Sequence, residues 1–457
     1  MKRKASLLLA VLLLLSFGGC DQQQAERPLP SQTEPRSPAS AISSSPSRLS
    51  PSEAESEFLF PLHEPYGTGS GAMPDRVVWA HDPDSVEWDG NGWWWELEHF
   101  DEAVIQSMVR KSIASLGGAD TAAEGWTALF IAHNASHGRG TTGYQHGEKI
   151  AIKANINGSG LNSDDASGKT EMSYTNPVLL KALLVSLVQD AGISPADITV
   201  YDVSRIFPDY MVEMCTQNSL NGIRFVGRNN SIADETVPIR WSYDVGGDIN
   251  YLPTCVTEAA YMINLANLKG HSYGMTLCGK NHFGSYINSN RMRPPVAANL
   301  HGFLAGAKMD EYSPLVDFMA NEHLGGKTML YMLDAIICAP TEGASITEEN
   351  SRWQQAPFNG DYTSSIFVSQ DPVAIDSVGA DFLANEPVIR SLHSGAEGYL
   401  HEAALVANAP SGTAYQNGNG QPMANLGVHE HWNNSTEKQY SRNLGDAEGI
   451  ELILIER

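Results

Sequence analysis

The densest group of chemically able side chains lies in Leu268-Lys-Gly-His-Ser-Tyr-Gly-Met-Thr-Leu-Cys-Gly-Lys-Asn-His-Phe-Gly284. It presents Lys269, His271, Thr276, Lys280, Asn281 and His282 within fourteen positions. Lysines set among glycines suit a phosphate or carboxylate ligand, because the ammonium supplies charge. Gly270, Gly274, Gly279 and Gly284 would also let backbone N–H groups approach an anion closely. Lys280 is expected to clamp such an anion, with His271 or His282 as acid–base group or metal ligand. Lys153 and Asn155 end an apolar run, and in a parallel sheet that end faces the same crevice. The competing reading is a tight turn with solvated lysines.

Three further patterns bear on chemistry. In Val428-His-Glu-His431 the alternate residues of a strand project to one face, so His429 and His431 could share a metal ion. Glu430 would point away and a third ligand would come from elsewhere; packed histidines are the alternative in a chain with fourteen of them. In Asp371-Pro-Val-Ala-Ile-Asp376, Asp371 suits a helix cap and Asp376 can face the site. Trp93-Trp94-Trp95 could stack on sugar rings, although such runs more often form a satellite core. Gly138-Arg-Gly-Thr-Thr-Gly143 leads into a strand rather than opening a helix, which argues against dinucleotide binding. Gly270-His-Ser-Tyr-Gly274 fits a nucleophile elbow only if a strand runs straight into a helix, and here the chain stays glycine-rich.

The elements that position these residues read as alternating strands and helices. Strands are expected at Arg76–His81, 149–156, 198–203, 223–226, 260–266, 329–339 and 450–455. Helices are expected over 101–116, from Pro177 to Val188, near 208–217, over 315–324 and over 374–384, with 121–132 ambiguous. Asn176-Pro177 opens its helix with proline at the favoured first position, and Gly192 closes it. Strand, helix and strand at this spacing form a right-handed βαβ unit. The expected fold class is therefore α/β: a layered, mostly parallel sheet with flanking helices, plus a loop-rich C-terminal extension.

Four ordered motifs carry a resemblance. Lys153-Ala-Asn-Ile-Asn-Gly158, the helix from Asn176 ending in Asp190-Ala-Gly-Ile, the stretch from Leu268-Lys-Gly-His271 to Lys280-Asn-His-Phe-Gly284, and Asp371-Pro-Val-Ala-Ile-Asp376 resemble the DUF362 family over roughly 148–385. Many members of that family carry ferredoxin-type cysteine clusters, and this chain departs there. Cys215, Cys255, Cys278 and Cys338 are widely spaced, so an iron–sulfur cluster is disfavoured, and disulfides or buried thiols stay open. A weaker likeness is to the nickel-pincer lactate racemases, in which a His precedes a cofactor-bearing Lys, as His271 precedes Lys280. Such a cofactor is made inside the cell, which is incompatible with unfolded export. The resemblance leaves the cofactor unknown, with a divalent metal as an option.

Length and composition bound the rest. The chain has 457 residues, 42% hydrophobic, with a net charge of −24, so a large core is available. An acidic surface repels phosphate backbones, which argues against nucleic acid as a partner. Met-Lys-Arg-Lys, the apolar run Leu7–Leu15 and Gly18-Gly19-Cys20 form a secretory signal of the bacterial lipoprotein kind. Lipidation is therefore expected at Cys20, anchoring the protein to a membrane of the cell envelope. The expected organisation is a signal over 1–20 and a disordered Ser/Pro-rich tether over 21–75. The N-terminal part of the body follows over 76–147, the α/β core over 148–385 and the extension over 386–457. The function this supports is an exported enzyme acting on a small carboxylate or phosphate. A solute- or carbohydrate-binding lipoprotein without catalysis is the alternative.

Overall fold

The computed structural model of the protein describes residues 59–159, 166–246, 249–288 and 300–457. The signal segment, Cys20 and most of the tether lie outside the described residues. Eight strands form the central sheet: β1 Arg76–His81, β2 Ile150–Lys153, β3 Ile198–Asp202, β4 Arg224–Gly227, β5 Tyr261–Asn267, β6 Thr328–Ala335, β7 Ser365–Ser369 and β8 Glu451–Glu456. Their order is β8-β1-β7-β6-β5-β2-β3-β4. All neighbouring pairs are parallel except the two made by β7, which runs antiparallel to both β1 and β6. The fold is thus α/β with a mixed, mostly parallel sheet.

β7 has no counterpart among the expected strands. Its sequence, Ser365-Ile-Phe-Val-Ser369, is short and bounded by polar residues, and only burial on both faces explains it. Such strands lack the alternation that marks half-exposed ones. The ambiguous stretch after Thr121 is helical, capped by the Thr121 side chain on the Glu124 amide.

The sheet is covered on both faces. Glu102–Leu116 (α1), Ala122–Ser136 (α2) and Pro177–Gln189 (α3) pack on one, where Ile150 and Ile152 of β2 point. Trp94 and Trp95 join this layer, Trp95 stacking on Tyr210 with ring centroids 4.5 Å apart. The tryptophan run is therefore packed core. The other face carries the short helix Cys278–Asn281 (α4), Pro314–Ala320 (α5), Pro372–Ala384 (α6) and Gly398–Ala404 (α7). Asp371 caps α6, its Oδ1 accepting from the amides of Val373 and Ala374, as its position before Pro372 implies.

The disordered tether was expected to reach residue 75, and the folded body begins earlier. Phe60 is buried against His431, and Tyr66–Gly67 pairs antiparallel with Val428–His429. A Pro/Gly-rich segment is ordered here by residues more than 350 positions away, which local composition does not register. The four cysteines Cys215, Cys255, Cys278 and Cys338 are free thiols. No helix among the described residues is long and apolar enough to cross a membrane.

Candidate functional site

In the strand order, β2 is followed on one side by β3 and β4, while the chain returns to place β5 on its other side. Loops leaving the carboxyl ends of β2 and β5 therefore diverge, which opens a crevice at the point where α/β folds bind ligands. A hollow of about 240 Å³ lies there. Asn155 and Asn157 reach it from the end of β2, Asp202 and Arg205 from the end of β3, and His271, Thr276 and Lys280 from beyond β5.

Asn281 holds the two sides together. Its Oδ1 accepts from Lys153 Nζ and Asn155 Nδ2, each at 3.2 Å, while its Nδ2 donates to Asn264 Oδ1 at 2.8 Å and to the carbonyls of Lys153 and Leu265. With these bonds made, Asn281 fixes the floor rather than offering itself to a ligand. Lys153 lies beneath that floor, fully buried, donating to Asp202 Oδ2 at 3.0 Å. Lys269 is buried likewise and donates to the Ser173 carbonyl at 3.0 Å; burial lowers its ammonium to about 8. His282 also sits under the wall, its ring held by Ser285 Oγ and Asn264 Nδ2 and kept neutral by burial. Lys153, Lys269 and His282 thus build the site from behind, while Asn155, His271, Thr276 and Lys280 face the hollow.

The glycines were expected to expose amides to an anion, and the structure uses them differently. Asp376, from α6, accepts the N–H groups of Cys278 at 2.8 Å and Gly279 at 2.9 Å, and a bond from Tyr399 Oη. The anion at the start of α4 is therefore a side chain of the protein itself. Asp376 does not line the hollow; it anchors the turn that carries Lys280. Gly284 is required by close approach, since a Cβ there would lie 2.5 Å from Asp202 Oδ1. Ser272 and Tyr273 form the turn of a hairpin between Lys269–His271 and Gly274–Thr276. That geometry removes the strand-into-helix elbow a nucleophilic serine needs.

Lys280 is the chemically exceptional group. It is 7% exposed, its Nζ lies 3.2 Å from His301 Nε2 and 3.6 Å from the centre of the Phe283 ring. Among the described residues no carboxylate stands within ion-pair distance of it. Burial, with further opposition from Lys269 and Lys153, lowers its ammonium to about 7. His271 Nδ1 accepts the Tyr273 amide at 3.0 Å, so its proton resides on Nε2, a neutral donor. Burial and the neighbouring Lys280 charge lower His271 to about 2 and His301 to about 4. Thr276 Oγ1, on the lining, is buried without a hydrogen-bond partner. A small anion with acceptor oxygens fits this set, supplying what Lys280 and Thr276 lack.

A family model described as a domain of unknown function, DUF362, matches residues 150–381, just over half of the chain. The chain belongs to the DUF362 family. The match runs from β2 into α6, so it contains the floor, both walls, His301 and Asp376. No curated protein and no solved structure matches the chain, and the likeness to lactate racemases finds no match among them.

Three residues of the DUF362 hollow escaped sequence reasoning. Asp202 ends an otherwise apolar strand, a signal that marks a polar residue at a strand's carboxyl end. Arg205 follows three residues later; its guanidinium is held by the Asn157 carbonyl and Oδ1. His301 gives no signal at all, being isolated in sequence and placed by the return of the chain. His429 and His431 lie in a separate cluster away from the hollow's lining, and Glu430 turns away from it to accept from Ser441.

Proposed function

We propose that this DUF362 protein is an exported, lipid-anchored enzyme that acts on a small carboxylate or phosphate bound between β2 and β5. The observation that carries the reading is the convergence of Lys280 and His271 on one hollow, with no carboxylate partner for Lys280 among the described residues and its ammonium lowered by burial. A passive binder has no use for a lysine held at about 7, whereas proton transfer at neutral pH needs such a group. Arg205 and the His271 Nε2–H orient the anion. Lys280 exchanges a proton with the bound molecule, and His301 Nε2 stands as the neighbouring acceptor. The signal ending at Cys20 supports placement in the cell envelope, held by the lipid on that cysteine.

The test uses the full chain against a panel of small carboxylates and phosphate monoesters, reading binding by thermal shift and conversion by NMR. Wild type is expected to bind and convert at least one member, and Lys280→Met to lose conversion. Binding across the panel without turnover would sink the enzyme reading in favour of a solute carrier. For the anchor, Cys20→Ser is expected to abolish labelling of the protein by fatty acid in bacterial cells; retained label would refute lipidation there.

A further inference from the structure

A second constellation lies outside the region matched by the family model. His63 comes from the N-terminal segment, Glu397 and His401 from the start and body of α7, His429 from the strand that pairs with Tyr66–Gly67, and His431 from just beyond it. Their ligand atoms fall into two overlapping triads, His63–His429–His431 and Glu397–His401–His429, each within 4.8 Å. His429 and Glu397 are fully buried. Four atoms aimed into the cluster have no hydrogen-bond partner among the described residues: Nε2 of His63, His401 and His429, and Oε1 of Glu397. Buried polar atoms are rarely left unsatisfied, so one orphan is tolerable and four in one cluster are a demand for a ligand.

The hydrogen bonds behind the rings decide what kind of ligand. Ser377 Oγ donates to the Val373 carbonyl at 2.7 Å and so can only accept from His429 Nδ1, 2.8 Å away. His63 Nδ1 lies 2.7 Å from the Glu64 carbonyl, which is likewise an acceptor alone. Both rings therefore carry their proton on Nδ1 and present a bare Nε2 lone pair inward. Lone pairs facing lone pairs and a carboxylate oxygen repel unless a cation sits between them. Backing of the outer ring nitrogen by a carbonyl or hydroxyl is the arrangement metal-bound imidazoles use.

We infer that His63, His401 and His429, each through Nε2, and Glu397 through its carboxylate hold one divalent transition-metal ion of the zinc class. In this reading His431 stands behind the ligands rather than among them, although the alternation places it with His429 in one candidate group. Its Nδ1 meets Asp381 Oδ1 and its Nε2 meets Glu397 Oε2, both at 2.6 Å, so both nitrogens are donors. His431 is a positioning residue that fixes the Glu397 carboxylate. Two carboxylates and one imidazolium leave a buried negative charge that a dication offsets. His429 Nε2 lies 3.8 Å from Glu397 Oε2 and His401 Nε2 lies 3.9 Å from Glu397 Oε1. A tetrahedral ion with bonds of about 2.0–2.1 Å draws such atoms to roughly 3.3 Å, a closure of about half an ångström for these two pairs; His63 joins through the triad it shares with His429. The ion clamps the N-terminal segment onto α7 and the C-terminal strand.

The test strips the full chain with a chelator and titrates it with Co²⁺, read by visible absorption and by metal analysis. One tetrahedral Co²⁺ per chain is expected, displaced by Zn²⁺. His429→Ala and Glu397→Gln are expected to abolish it, and Ser377→Ala to weaken it by about 10- to 100-fold through its backing of His429. Lys280→Met is expected to leave it unchanged, which separates this site from the hollow. Should the ligand variants fail to fold, hydrogen exchange on wild type decides: metal is expected to slow exchange around residues 60–67. Failure of stripped wild type to take up one equivalent at micromolar Co²⁺, uptake indifferent to His429→Ala and Glu397→Gln, or exchange at 60–67 indifferent to metal each overturns the inference.

Discussion

Replacing Lys280 with methionine keeps the length of the side chain and removes its charge. The fold holds this ammonium at about 7, against 10.5 for a free lysine. An unfolded chain therefore binds more protons than the folded one between about pH 7 and 10.5, and stability of the wild type rises with pH across that window. At about 1.4 kcal/mol for each tenfold change in proton affinity, the penalty is on the order of 5 kcal/mol at pH 6.5 and about 1 kcal/mol at pH 9.5. Methionine removes that penalty but forfeits the packing of the neutral amine on the Phe283 ring and its bond to His301, together about 2–3 kcal/mol. Lys280→Met is then expected to be about 2 kcal/mol more stable than wild type at pH 6.5 and about 1 kcal/mol less stable at pH 9.5. Urea unfolding of ligand-free protein at both values measures the difference, and comparison with wild type cancels the other titrating groups. A stability gap that is the same at both pH values would refute the burial of a strained charge at the mouth of the hollow.

Gly284→Ala drives a methyl group against Asp202, which anchors the buried Lys153. The loss is expected to be about 3–5 kcal/mol, as for a broken buried ion pair, and a melting temperature unchanged from wild type would contradict the close approach. Asp376→Asn keeps the shape but offers one acceptor oxygen to two amides and the Tyr399 hydroxyl. It is expected to cost about 1–3 kcal/mol in denaturant unfolding and to weaken anion binding by shifting the Lys280 turn. Trp95→Ala removes the stack on Tyr210 and is expected to destabilise by about 3–5 kcal/mol. Anion binding in that variant should survive, and a variant as stable as wild type but deficient in binding would reverse the assignment of these tryptophans to the core.

Much of the scaffold was legible because local signals agreed with the final packing. Pro177 after Asn176, Asp371 before Pro372 and the apolar runs of β2, β3 and β5 each specify an element and its boundary. Residue order alone brings Lys153, Asn155, His271 and Lys280 together, since a parallel sheet sends its carboxyl ends to one side. What could not be read is which of them face the hollow. Lys153 and Lys280 look alike in sequence, and only the hydrogen bonds of Asn281 to β2 and β5 put one below the floor. The same holds for His429 and His431, whose alternation is visible but whose partners Asp381, Glu397, His401 and His63 are set by the path of the chain. β7 escapes because its apolar run is only Ile366-Phe367-Val368 between two serines, too short to mark a buried strand.

The edge of the sheet has a consequence for how the molecule comes into being. β1 is flanked by β8, and Arg76 is bonded to Glu451 across 375 residues of sequence. A polypeptide emerging amino end first leaves β1 with an open flank until Glu451–Glu456 arrives. Contacts of such sequence separation form late, because so much chain entropy must be surrendered before any reward. Completion of the sheet thereby waits for β8, and a chain that loses β8 would keep a raw hydrogen-bonding edge open to neighbouring copies.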